Sequence, residues 1–129
     1  MENRDKEEHY KKFILQYAMI HHKGVTKEDI LRFTDNELYV SSVMAFRKAF
    51  PDYMIMVEDI TSEGDFVIMH GVLRGTHKDD FHGIPATYRK MELPMITKFH
   101  IVNDKIINAW PMIDTLLLME QLGAINRPA

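Results

Sequence analysis

Hydrophobic positions in the first fifty residues recur at spacings of three and four. Tyr10, Phe13, Ile14, Tyr17, Ala18 and His21 fall on one face, which predicts an amphipathic helix over residues 5–22. Gly24 ends it. Thr26 followed by Asp29 has the form of a capping box and predicts a short second helix. Thr34 followed by Glu37 repeats that form, and Tyr39, Val43, Phe46 and Phe50 mark the next stripe, with Val40 and Met44 beside it. This third helix runs to about Phe50, because Pro51 cannot continue it and biases Phe50 away from helical geometry.

From Tyr53 the period changes to that of strands. Residues 53–61 are rich in β-branched and apolar side chains, residues 62–65 read as a turn, and residues 66–76 as the returning strand. Residues 77–87 contain Gly83 and Pro85 and read as a connecting loop. Residues 88–102 predict a long strand, bent or bulged near Pro94. Asn103 and Asp104 tolerate positive φ and predict a tight hairpin turn into a last strand over residues 105–113. Residues 115–122 predict a short docking helix closed by Gly123. Helices first, then a four-strand antiparallel meander, then a terminal helix predict an α+β fold, with helices on one face of a curved sheet.

Composition narrows the function. The 129 residues make one domain, 1–129, long enough to bury a core without a disulfide or metal staple. The net charge of −3 gives no basic excess for nucleic acid or an anionic membrane. The absence of cysteine removes thiol nucleophiles and Cys-based metal sites, and fits a reducing cytoplasmic setting. The opening MENRDKEEHYKK has no signal-like apolar stretch, and no apolar run approaches ~20 residues, so no membrane partner is expected. There is no Gly-rich phosphate loop, nucleophile elbow or His-Glu-x-x-His sequence.

A set of short strings then follows in a telling order. Phe50-Pro51-Asp52, Val57-Glu58-Asp59-Ile60 and Glu63-Gly64-Asp65 precede Arg74-Gly75-Thr76-His77, which leads into Phe81-His82-Gly83-Ile84-Pro85. Phe99 and Ile101 come before the hairpin turn, Lys105-Ile106 opens the strand bearing Trp110 and Asp114, and Leu116-Leu117 and Glu120-Gln121-Leu122-Gly123 close the series. In order and spacing, residues 50–123 resemble the SnoaL-like polyketide cyclases, or ester cyclases. That family belongs to the nuclear-transport-factor-like superfamily, which also holds ketosteroid isomerases.

The resemblance implies a cone of curved antiparallel sheet (a cystatin-like α+β barrel) around a helix-lined, mostly apolar pocket, and a homodimer formed through the sheet. It implies intramolecular aldol ring closure without metal or organic cofactor, with an aspartate on the last strand as general acid/base. Asp114 matches that aspartate by its position after Trp110, and His100 stands where a histidine assists in some cyclases. Three features depart from the family pattern. Residues 25–50 read helix to helix, so the family's first strand is expected to be missing; Ala109 precedes the tryptophan where relatives often carry His; and the often acidic position 108 is Asn108.

The residues themselves suggest the following chemistry. Asn108, Trp110, Met112 and Asp114 share one face of the last strand. If that face is enclosed, the Asp114 carboxylate is desolvated, its pKa rises, and it becomes a better proton acceptor near neutral pH, with Trp110 and Met112 lining the substrate. Asp114-Thr115 is equally an ordinary helix N-cap, and both roles can coexist. With a simple two-residue turn, His100 lies opposite Ile107, about 20 Å from Asp114 along straight strands; it is a pocket histidine or a surface one. His70 shares a side with Ile68, Val72 and Arg74, and either polarises a ligand carbonyl or faces solvent or a dimer contact. Tyr17, Tyr39, Tyr53 and Tyr88 offer hydroxyls that point into the cavity or, more commonly, suit core or rim, with Tyr17 and Tyr53 the candidate ligand contacts. The His77–His82 loop fits no closed metal site, and His21-His22 suits a helix C-terminus. The ten methionines fill a core or line a pocket for apolar ligands.

The expected function is cofactor-free acid/base catalysis, aldol cyclisation or isomerisation, on a small apolar oxygenated molecule. The alternatives are a non-catalytic ligand-binding module and a dimeric interaction protein of the same fold. An interior cavity of ~300 Å³ or more, with Asp114 lining it, supports the first two; a collapsed interior supports the third.

Overall fold

The computed structural model describes residues 2–125. The first hydrophobic stripe folds as α1 (Glu2–Ile20), which tightens into a 3-10 turn, His21–Lys23, and stops at Gly24, whose φ of 75° a side chain would resist. Helix α2 (Lys27–Leu31) starts at Thr26 with the complete capping box that Thr26 and Asp29 predict. Helix α3 (Glu37–Ala49) starts two residues later than expected. Its N-cap is Asn36, whose side chain accepts from the Tyr39 N–H, rather than Thr34. The Thr34 hydroxyl instead donates to the Ile106 carbonyl at 2.5 Å and accepts from the Asn36 N–H. The segment that the family fills with a strand is therefore a single parallel bridge, Thr34 to Ile106, backed by the Ile106 N–H on the Phe33 carbonyl.

Strands β1 (Met54–Glu63), β2 (Phe66–Thr76), β3 (Lys90–Val102) and β4 (Lys105–Ile113) form one antiparallel sheet in sequence order, and α4 (Thr115–Gln121) follows. Asn103 and Asp104 make the last hairpin at φ 51° and 60°. Among the described residues no helix is long and apolar enough to cross a membrane.

The pairing of β3 with β4 differs from the sequence expectation in one respect that governs the site. Val102 pairs with Lys105 and Ile101 with Ile106, but His100 then pairs with Asn108, so Ile107 is an extra residue. The bulge lies here and not at Pro94, which pairs in register with Val72. Because strand side chains alternate, one extra residue exchanges the two faces of everything beyond it. Ile106 faces inward before the bulge; after it, Ala109, Pro111 and Ile113 do, through the rows Val67–Phe99–Ala109, Met69–Thr97–Pro111 and Gly71–Met95–Ile113.

Ile14 and Tyr17 of α1, Phe50, Leu93, Phe99, Ile101, Ile106, Leu118 and Leu122 make the fully buried centre. Gly71 sits in this sheet opposite the second bulge, between Val57 and Asp59 of β1. A Cβ at Gly71 would stand 2.3 Å from the Met56 carbonyl oxygen and 3.1 Å from the Val57 Cα, both backbone atoms with little freedom to move. Gly71→Ala is expected to lower unfolding stability by ~2 kcal/mol or more, the range of overpacked cores. Urea denaturation checks this; an unchanged midpoint contradicts the close approach.

Candidate functional site

The inward face of the sheet and helices α1 and α3 enclose a cavity of about 420 Å³. Ile55, Met69, Leu73, Met95, Phe99 and Ile113 line it from the strands, and Val43 and Phe46 from α3. Leu38, Ser42, Asn108 and Pro111 line it while exposed, and so mark its mouth. A more open groove between Asp52, Arg74, Lys90 and Gln121 lies on the surface.

The cavity's polar groups are few and arranged in pairs. The Tyr17 and Tyr39 hydroxyls are 2.6 Å apart. Their mutual bond uses one hydrogen, which leaves the other phenol with an O–H to donate. The Tyr53 hydroxyl is hydrogen-bonded to Nδ1 of His21. The Arg47 guanidinium, itself buried, lies 3.9 Å from the Tyr53 ring centroid and donates to the carbonyls of His21 at 2.6 Å and Pro51 at 2.8 Å. His21 packs edge-on against Tyr17, with ring centroids 4.8 Å apart, so the two pairs are contiguous. Nε2 of His21 and Oγ1 of Thr97 are buried without a hydrogen-bond partner among the described residues, and both residues line the cavity.

These groups are neutral hydrogen-bonding groups at neutral pH. Burial first, and then the Arg47 cation and His22, push His21 down to about 3. Burial raises Tyr17, Tyr39 and Tyr53, with Arg47 partly opposing it at Tyr53. No Asp or Glu is among the residues lining the cavity.

Of the candidates that the sequence suggests, the structure brings Tyr17 and Tyr53 to the cavity. The face shared by Trp110, Met112 and Asp114 is the outer one, because the Ile107 bulge turns it away. Trp110 is 46% exposed and Met112 70%. The Asp114 side chain is exposed and accepts from the Leu117 N–H at 2.9 Å as the N-cap of α4, while its neighbour Ile113 lines the cavity. The expected enclosure of that carboxylate is thus corrected. His100 stacks on Phe66 at 4.4 Å, pairs with Asn108 rather than Ile107, and does not line the cavity. His70 is half-buried beside Asp59 at 3.0 Å, and that hydrogen bond raises its pKa. Met69 and Met95 line the cavity, whereas Met54, Met56 and Met112 are exposed rather than in the core.

Sequence reasoning missed His21, Thr97 and Arg47; Tyr39, one of the hydroxyls it offered, does reach the cavity. The signal for His21 was present: it completes the apolar stripe of α1, and the helix-end capping role expected for it gives way to burial. Thr97 lies between the inward-facing Met95 and Phe99, but a lone threonine in a strand carries no mark of a pocket.

The depressed His21 pKa fixes the sign of an acid response. Between about 6.5 and 3 the unfolded chain binds a proton that the folded chain refuses, so stability falls as pH falls through that window. His70, raised at the surface, acts weakly in the opposite sense. From pH 6.5 to 5, above the carboxylate range, urea unfolding is expected to show a loss of about 1.5 kcal/mol, absent in His21→Gln. A flat profile in the wild type contradicts the neutral buried imidazole.

A family model described as SnoaL-like polyketide cyclase matches residues 20–122. No curated protein matches significantly. Among solved structures, a protein from Jannaschia Sp. CCS1 assigned as a SnoaL-like polyketide cyclase superposes with a TM-score of 0.80 at 20% identity, covering 93% of this chain and 95% of that one. AclR from Streptomyces galilaeus, assigned as a hydroxylase, gives 0.79 at 20% identity, with 90% and 96% covered. IdmH from Streptomyces antibioticus, assigned as a polyketide cyclase, gives 0.73 at 24% identity, with 88% and 97% covered. At these identities the likeness is one of fold, and a fold does not by itself choose the chemistry. The family match over most of the sequence, on a four-strand sheet curved around a helix-walled cavity, establishes that this chain belongs to the SnoaL-like polyketide cyclase family.

Proposed function

We propose that the cavity is the site of cofactor-free proton-transfer chemistry, aldol cyclisation or isomerisation, on a small, largely apolar molecule bearing carbonyl oxygens. The observation that carries this reading is an apolar hollow of about 420 Å³ in which hydroxyl and imidazole hydrogens remain without full partners. A carbonyl oxygen that accepts from the free phenol hydrogen of the Tyr17–Tyr39 pair gains negative charge as a proton leaves the adjacent carbon. Donors already fixed in place stabilise that charge without reorganising. In aldol closure the resulting enolate carbon bonds to a second carbonyl carbon, whose oxygen takes up the proton. In isomerisation the proton returns to another carbon. Both are redox-neutral, so neither reaction consumes a cofactor.

The base available inside the cavity is weak, since His21 resists protonation. This favours substrates whose carbon–hydrogen bond lies between two carbonyls, where a weak base suffices. The test is exchange of the acidic carbon's hydrogen for deuterium in 2-acetyl-1-tetralone, followed by NMR, with binding measured by calorimetry. Exchange faster than in buffer is expected, with a loss of about tenfold in Tyr39→Phe or Thr97→Val, the worth of one hydrogen bond. Asp114→Asn is expected to retain it, because Asn caps a helix as well as Asp. Binding without exchange would make the protein a ligand-binding module. Exchange lost in Asp114→Asn with binding intact would move the chemistry to that carboxylate.

We also propose a homodimer through the outer face of the sheet. Met56, Ile68, Ile96, Trp110 and Met112 are exposed there around Lys98, whose ammonium lies 4.6 Å from the Phe66 ring centroid and 5.6 Å from that of Trp110. A contiguous apolar patch on a sheet face is a frequent interface. Light scattering is expected to give twice the chain mass for the wild type and the single mass for Trp110→Glu/Met112→Glu; a monomeric wild type contradicts it.

A further inference from the structure

Behind the cavity wall lies a cation without an anion. Arg47, in the last turn of α3, is 8% exposed. Its guanidinium donates to the carbonyls of His21, Pro51 and Tyr53, its Nε has no partner, and no Asp or Glu among the described residues pairs with it. Carbonyl dipoles solvate a guanidinium but leave its unit charge in place, and charge acts over a longer range in a dry interior than in water. The two side chains whose backbone or ring it holds most closely, His21 and Tyr53, both line the cavity.

The other titratable groups around the cavity do not offset this charge. Tyr17 comes from α1, His21 from the 3-10 turn, Tyr39 from α3 and Tyr53 from the segment leading into β1. His22, next to His21, bonds the Ile55 carbonyl. The strands contribute no titratable side chain to the lining. Among the described residues that line the cavity there is no Asp, Glu, Lys or Arg, and the Arg47 cation contacts two of them, His21 and Tyr53. The hollow also holds the unpartnered Thr97 Oγ1 and His21 Nε2, which suit an oxygen richer in electrons than a ketone.

We propose that the cavity takes its ligand as an oxyanion, an enolate or phenolate, in preference to the neutral form of the same molecule, with Arg47 as the positioning residue that supplies the field. The ligand's proton passes to solvent or buffer on binding, and no oxidation or reduction is involved. The inference rests on the cavity being the ligand site. It explains how a site with only a weak base can still hold an ionised carbon acid.

The probes are 4-nitrophenol, whose ionisation is visible by its absorbance, and 4-nitroanisole, its methyl ether, which cannot ionise. Each is titrated into the wild type at pH values one unit below and one unit above the pKa of the free phenol, and into Ala109→Trp, which obstructs the cavity. The expected result is phenolate bound about tenfold or more tightly than the ether, and a bound phenol pKa at least one unit below the free value, since one unit is a factor of ten. Both ligands are lost in Ala109→Trp. Arg47→Lys is expected to keep the preference and Arg47→Met to lose it, thermal melts confirming that each is folded. Equal or tighter binding of the ether by the wild type overturns the inference without recourse to any variant, and leaves the cavity as a ligand site. Binding of neither probe overturns the inference and the cavity reading together.

Discussion

One extra residue in β4 decides what this protein can do. Ile107 has no opposite number on β3, and that single insertion exchanges inside for outside along the rest of the strand. Ala109, Pro111 and Ile113 therefore close the cavity, and Trp110 and Met112 remain on the outer surface. Thr34 and Asn36 grip the same place from the helical layer, through the Ile106 and Ile107 carbonyls. The bulge is thus the point where the loop before α3 is fixed to the sheet. With α3 so anchored, Tyr39 is held against Tyr17, and the far end of the helix presents Arg47 to His21 and Tyr53.

The resulting interior works by hydrogen bonding rather than by charge exchange. Burial keeps the three phenols and the imidazole neutral, and Arg47 adds to the pressure against a second cation at His21. A neutral donor set favours an oxygen that is becoming negative, and it does so most strongly where water is excluded. This accounts for a family of cyclase type having a member whose cavity lining lacks a carboxylate. In the proposed reaction the acid–base work is shifted toward the intrinsic acidity of the substrate, and the protein's part is to stabilise the anion.

Much of the architecture could be read from the chain because local signals and tertiary packing agree. The stripe from Tyr10 to His21, the capping box of Thr26 and Asp29, and the positive-φ pair Asn103-Asp104 each specify one local geometry, and each is found. The strand face at Asp114 was not legible. Alternation places Trp110, Met112 and Asp114 together, which is correct, while Asn108 reaches the cavity mouth; nothing in Lys105 to Asn108 marks a bulge, and the bulge alone says which way they point. Thr34 misled for a related reason. Its hydroxyl satisfies the capping pattern in sequence, yet the Ile106 carbonyl across the interface is the partner it finds. Arg47 reads as an ordinary basic residue near a helix C-terminus; its burial comes from backbone carbonyls contributed by His21, Pro51 and Tyr53, which no spacing rule connects.

In the proposed function the reacting oxygen sits among Tyr17, Tyr39 and Thr97, away from the acidic cap of α4. A crystal structure of the protein with a bound 1,3-diketone tests this most directly. The expected result is a ligand oxygen within hydrogen-bond distance of the tyrosine pair or of Thr97 Oγ1, with the carbon skeleton against Met69, Met95 and Phe99. A ligand seated on the Asp114 carboxylate at the outer surface, with the cavity empty, would contradict it.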